Sequence, residues 1–167
     1  MTQLSAGNVA PQFALPDANG RIAGLADHPS QTVIVYFYPA AMTPGCTIQA
    51  IDFSASLDDF AKAGIAIMGI SPDPVEKLQK FTEKKGLRVT LLADPGHTAI
   101  DAYGVWGTKK LYGKEIEGLI RSTFIVDVDA EGRGVVREAQ YNVRAAGHVD
   151  RLRRQLGIPD PVASRTR

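Results

Sequence analysis

Two hydrophobic periods take turns along this chain. "TVIVYFY" (Thr32 to Tyr38) is an unbroken β-branched and aromatic run, as a strand covered on both faces requires. Ala50, Phe53, Leu57 and Phe60 then recur at helical spacing, while Asp52, Ser56 and Asp59 fall away from that stripe. "GIAIMGIS" predicts a second buried strand. After it, Asp73 predicts a helix cap, with Pro74 at the first helical position and Glu76 completing a capping box. Val75, Leu78 and Phe81 supply that helix's apolar stripe, and Gly86 ends it. "VTLLAD" reads as a short third strand, followed by a helical turn or two from His97 that stops at Gly104. "STFIVDVD" and "VVREAQY", joined through "AEGRG", read as an antiparallel hairpin. A last helix carries Val149, Leu152 and Leu156 on one face, with Gly157 just past its end.

The order is βαβαβα and then ββα. It implies a mixed sheet with helices on both faces. An α/β sandwich of thioredoxin type satisfies this order, as do other small three-layer folds. Residues 157–167, "GIPDPVASRTR", lack periodicity and read as a flexible C-terminal tail.

A length of 167 residues suits one domain, and 44% hydrophobic with 22% charged residues is ordinary for a soluble globular protein. With 19 basic against 18 acidic residues, nothing electrostatic points to nucleic acid. The opening "MTQLSAGNVAPQF" lacks a basic segment followed by an apolar one, and no apolar run reaches membrane-spanning length. A cytoplasmic location is therefore expected, where a lone thiol stays reduced.

That thiol is Cys46, the only cysteine, in "YFYPAAMTPGCTIQAIDF" where a strand gives way to a helix. A free cysteine is commonly a small buried hydrophobe. At a helix start, however, unpaired backbone N–H groups and the positive end of the dipole favour the thiolate. From the residues alone the two readings stand level. Thr43 reads as an N-cap or turn hydroxyl, Pro39 as a strand end, Arg121 as a surface charge and Gln49 as a solvated helix residue. His28, His97 and His148 show no metal-ligand spacing, and His148 reads as structural. Trp106 and Tyr112 read as packing residues, and Arg151, Arg153 and Arg154 as the solvated face of the last helix.

Taken together, Pro39-x-x-x-Thr43-x-x-Cys46 and "GLIRSTFIVD" resemble the active-site motif and arginine segment of the peroxiredoxins. "APQFALPDANG", "AGIAIMGISPDPVEKLQKF", "LLADP", "YGVWG" and "AGHVDRL" extend the resemblance, in order from Ala10 to Leu156, to the PrxQ or bacterioferritin comigratory branch. The resemblance implies a thioredoxin-like three-layer sandwich with a mixed central sheet and an N-terminal β-hairpin extension, forming a single domain over 1–156. It also implies a thiol-dependent peroxidase that uses no metal, flavin or haem. Cys46 would be the peroxide-attacking thiolate. The Thr43 hydroxyl would accept from the peroxide and donate toward the thiolate, and Pro39 would screen the sulfur. Arg121 would stabilise thiolate and peroxide oxygens, oriented by Gln49. The partners implied are a hydroperoxide and an external thiol reductant: thioredoxin, glutaredoxin or a low-molecular-weight thiol. A monomer is implied, with no membrane and no nucleic acid.

One position departs from the pattern. Many members of the branch carry a resolving cysteine five residues after the first, and here that residue is Ile51. The chain therefore resembles the one-cysteine variants. A peroxide sensor or redox-controlled holdase would use the same oxidation without turnover. A thiol–disulfide oxidoreductase would want C-x-x-C, which Gly45 to Gln49 does not provide.

Overall fold

The computed structural model describes residues 3–159. Three short strands, β1 (Val9–Ala10), β2 (Leu15–Pro16) and β3 (Ile22–Ala23), precede β4 (Thr32–Phe37). Then follow α1 (Pro44–Lys62), β5 (Ile65–Ser71), α2 (Val75–Lys85), β6 (Thr90–Ala93) and α3 (Thr98–Ala102). The rest is β7 (Trp106–Leu111), β8 (Lys114–Leu119), β9 (Ser122–Val128), β10 (Gly134–Gln140) and α4 (His148–Gln155).

A six-stranded sheet runs β1-β10-β9-β4-β5-β6. Its β4, β5 and β6 are parallel, as crossover helices α1 and α2 demand, while β9, β10 and β1 continue it antiparallel. The unbroken apolar run of β4 has the expected cause. Ile34 and Tyr36 enter a core with Phe53 and Phe60 of α1, Leu78 and Phe81 of α2, and Val149 and Leu152 of α4. Val33, Val35 and Phe37 enter a second core with Ile100 of α3 and Phe13 and Leu25 of the N-terminal segment. Each fully buried large apolar side chain contributes about 1.5–3 kcal/mol, so two cores on one sheet fix its middle strand firmly. The mixed α/β sandwich and its N-terminal hairpin (β2 paired with β3) are thus present, and β1 leaves that hairpin to edge the main sheet. Among the described residues no helix is long and apolar enough to cross a membrane.

Several local expectations are corrected. Asp73 does not cap α2: Pro74 holds the N-cap position, extended at φ −74° and ψ 162°, with no side-chain cap bond. The Asp73 carboxylate instead accepts from the Ala41 N–H at 2.7 Å and the Ser71 hydroxyl at 2.9 Å. Ala41 is buried, and an unpaired buried amide costs more than a helix end that water can serve. Ser56 does not face solvent; it is buried, as is Ser54, whose hydroxyl accepts from the N–H groups of Arg88 and Val89. α1 is flanked by α4 and by the chain after α2, so its buried arc is wider than its apolar stripe. Arg153 is not on a solvated face: it is buried, pairs with Asp59 at 2.9 Å and donates to the Pro159 carbonyl. The second residue of the expected tail, Ile158, is packed, and its N–H meets the Arg153 carbonyl at 2.8 Å. Residues 160–167 lie outside the described residues.

Candidate active site

The register of β4 builds the site. β4 and β9 pair antiparallel with Phe37 opposite Ser122, so the chain leaving β4 at Tyr38 passes beside the chain entering β9 at Arg121. From there Pro39 to Met42 form the loop into α1, with Pro39 half-buried. Thr43 is the N-cap and Pro44 opens the helix, where its missing N–H costs nothing. Gly45 and Cys46 therefore present first-turn amides without intrahelical acceptors, whereas Thr47 N–H already reaches the Thr43 carbonyl at 2.9 Å.

Cys46 and Gln49 are one turn apart on the same face, and Arg121 meets both with its two terminal nitrogens. Nη2 lies 3.3 Å from Cys46 Sγ, and Nη1 donates to Gln49 Oε1 at 2.6 Å. The fork is fixed by a wholly buried amide, whose Nε2 has no partner among the described residues. Gly45 is small for a reason: a Cβ there would sit 3.2 Å from Arg121 Nη2 and 3.4 Å from Ala145 Cβ.

Two further features define the site. Cys46 is 1% exposed, so the thiol is buried and yet paired with a cation, which a merely structural thiol does not need. The Thr43 hydroxyl donates to the Ala40 carbonyl at 2.7 Å and not toward the sulfur, which leaves its lone pairs to accept. Arg121, read from its neighbours alone as a surface charge, reaches into the site.

Behind the sulfur lies an aromatic wall. Tyr36 stacks on Phe53 with ring centroids 4.4 Å apart and sits 5.7 Å from Tyr38. Burial pushes the Tyr36 phenol well above its ordinary range, and the nearby Tyr38 and Cys46 add to that while Arg121 opposes it. It is a neutral group beside the thiol. His148, expected to be structural, is buried with Nε2 2.9 Å from Thr123 Oγ1. Burial first, then the positive charges of Arg151 and Arg121, push its imidazole down to about 4. Asp73, expected as a helix cap, instead bonds into the loop at Ala41, a contact no local pattern signals because the partner lies 32 residues away.

A buried cysteine at a helix start on a thioredoxin-like sheet, with an arginine on its sulfur, defines a thiol-based redox protein. Residues 6–138 match the model of the AhpC/TSA family. A Mycobacterium tuberculosis relative is 52% identical over 157 residues, 94% of this chain and 98% of its own. Peroxiredoxin Bcp of Escherichia coli is 47% identical over 131 residues, 78% of this chain and 84% of its own. Among solved structures, peroxiredoxin Q of Xanthomonas campestris superposes with a TM-score of 0.78 at 35% identity, covering 87% of this chain and 89% of that one. The chain belongs to the AhpC/TSA family, in its Bcp/PrxQ branch of peroxiredoxins. The X. campestris protein has been solved with either of two cysteines changed to serine, whereas this chain has Cys46 alone.

Proposed function

We propose that this peroxidase reduces hydroperoxides with Cys46 as the attacking thiolate, and that an outside thiol restores it. Thiol-dependent peroxidase activity goes with the family; alkyl peroxide reduction is the activity of the X. campestris bacterioferritin comigratory protein, 35% identical to this chain. The observation that carries the assignment is Arg121 Nη2 at 3.3 Å from Cys46 Sγ. In the reaction, the sulfur attacks the distal oxygen in line with the O–O bond. An S–O bond forms, the O–O bond breaks, and the departing oxygen takes a proton to leave as alcohol or water. Charge spreads over both oxygens, and the donors aimed at them are the Gly45 and Cys46 amides and the Arg121 guanidinium. Thr43, its proton held by Ala40, accepts from the peroxide O–H.

Cys46 is left as a sulfenic acid. One thiol displaces water from it to give a mixed disulfide, and a second releases the reduced enzyme and a disulfide. A monomer is proposed as the working unit on the resemblance to the branch alone. The test is peroxide consumption, with hydrogen peroxide and an alkyl hydroperoxide, while thioredoxin, glutaredoxin and a small thiol are supplied separately. Multiple turnovers are expected with at least one reductant, and none for Cys46→Ser in a folded protein, because a serine hydroxyl is scarcely ionised at neutral pH. Turnover by the serine variant would remove Cys46 from its role. Consumption of a single equivalent with every reductant would make the chain a sensor.

A further inference from the structure

The loop that presents the site turns through Met42, whose φ of 66° lies in the left-handed region that a residue with a side chain enters at a cost. Both neighbours of that residue are tied down. Behind it, the Ala41 N–H donates to Asp73 Oδ2 at 2.7 Å; ahead of it, the Thr43 hydroxyl donates to the Ala40 carbonyl at 2.7 Å. Asp73 is itself anchored. Its Oδ2 also accepts from the hydroxyl of Ser71, the last residue of β5, at 2.9 Å, and its own N–H is 3.3 Å from that oxygen. Its Oδ1 meets Lys77 Nζ at 3.2 Å, and the side chain is 8% exposed. β5 lies beside β4 in register, with Phe37 opposite Ile70, so this carboxylate stands on the same rigid sheet that β4 leaves. It makes no cap bond to α2, so helix capping does not account for its burial.

We propose that Asp73 is a positioning residue for peroxide reduction: by holding the Ala41 amide it keeps Met42 in the left-handed turn that aims Thr43 and the first turn of α1 at the substrate. Without the carboxylate, Ala41 loses its partner and Met42 relaxes to negative φ, swinging Thr43 away. The inference rests on the reading of Cys46 as the attacking thiolate, and that reading is checked first, in the wild type, as oxidation of Cys46 by stoichiometric peroxide.

The test is a double-mutant comparison of Asp73→Ala, Met42→Gly and the two combined. Each is followed by its second-order rate with hydrogen peroxide, its alkylation rate with iodoacetamide, and amide exchange at Ala41. Asp73→Ala should slow the peroxide reaction by about 10- to 100-fold, the cost of misplacing a reacting geometry, without slowing alkylation. Its Ala41 amide should lose exchange protection. Adding Met42→Gly should recover most of the lost rate, because glycine occupies positive φ as readily as negative. If Asp73→Ala does not fold, Asp73→Asn with and without Met42→Gly makes the same comparison, since the amide cannot accept from both Ala41 and Ser71 on one oxygen with the strength of a carboxylate. A variant at position 73 that stays within about twofold of wild type would overturn the proposal. So would a double variant no faster than the single one, or equal slowing of both reactions.

Discussion

Gly45 and Arg121 meet where one methyl group decides how near the guanidinium comes to the sulfur. The fork is set by Gln49 on one nitrogen and by the hydrogen at Gly45 on the other side, so Arg121 has little freedom to drift. In the proposed mechanism only the peroxide reaction uses Arg121 on developing oxygen charge, while alkylation uses the thiolate alone. Arg121→Met should therefore slow peroxide reduction by about 10²–10³-fold, the usual effect of removing one preorganised donor, and slow iodoacetamide much less. Gly45→Ala should act in the same direction but weakly, since a Cβ at 3.2 Å asks the guanidinium to shift by only a few tenths of an ångström. Stopped-flow rates with both reagents decide the point. Equal slowing of the two by Arg121→Met would reduce Arg121 to general charge stabilisation.

Helix α1 carries the proposed attacking residue on one face and, on another, Ile51 where many members of the branch have a second cysteine. Cys46 is 1% exposed, whereas Ile51 is 43% exposed. Residues five apart in an intact helix have Cα atoms beyond the roughly 7 Å that a disulfide spans, so Ile51→Cys should cross-link to oxidised Cys46 only as the first turns of α1 open. Intact mass after stoichiometric peroxide, without reductant, should show one added oxygen on wild type, then a second oxygen or a Cys46-linked dimer. Added thiol should divert this to a mixed disulfide. A wild-type product that kept full activity with neither oxygen nor thiol bound would end the one-cysteine cycle. The strand and helix periods could be read from local rules, whereas the roles of Cys46 and Arg121 were legible only through the resemblance to the family. What neither reached was set by distant partners. Asp73 looked like a cap because Ala41 is 32 residues away, and Arg153 looked solvated because Asp59 lies on another helix. The β7–β8 hairpin was missed because most of β8 is exposed on both faces and shows no period of two. Its one local signal was Tyr112-Gly113, which turn at φ 52° and 76° as a tight hairpin requires.

His148 ties α4 to the central sheet, since it opens α4 and its ring meets Thr123 on β9, two residues past Arg121. Its ring also lies edge-on to Phe53 of α1 at 6.3 Å. With burial and the charges of Arg151 and Arg121 against protonation, it stays neutral in the fold down to about pH 4, while in the unfolded chain it titrates near 6.5. The unfolded state then binds more protons as pH falls, so His148 contributes stability that is present above pH 6.5 and lost between 6.5 and about 4. The gap between those values corresponds to about 3 kcal/mol. Asp52, raised by burial and by Asp150, acts with the opposite sign, regaining stability as pH falls through its own range. It is common to wild type and variant, and so cancels in their difference. Urea unfolding of wild type and His148→Gln between pH 7.5 and 4.5 should therefore give curves that converge as the pH drops. Wild type should lose about 2–3 kcal/mol more than the variant over that window. Parallel curves would mean that the imidazole is protonated within the fold, and that α4 is held to β9 by something other than a neutral His148.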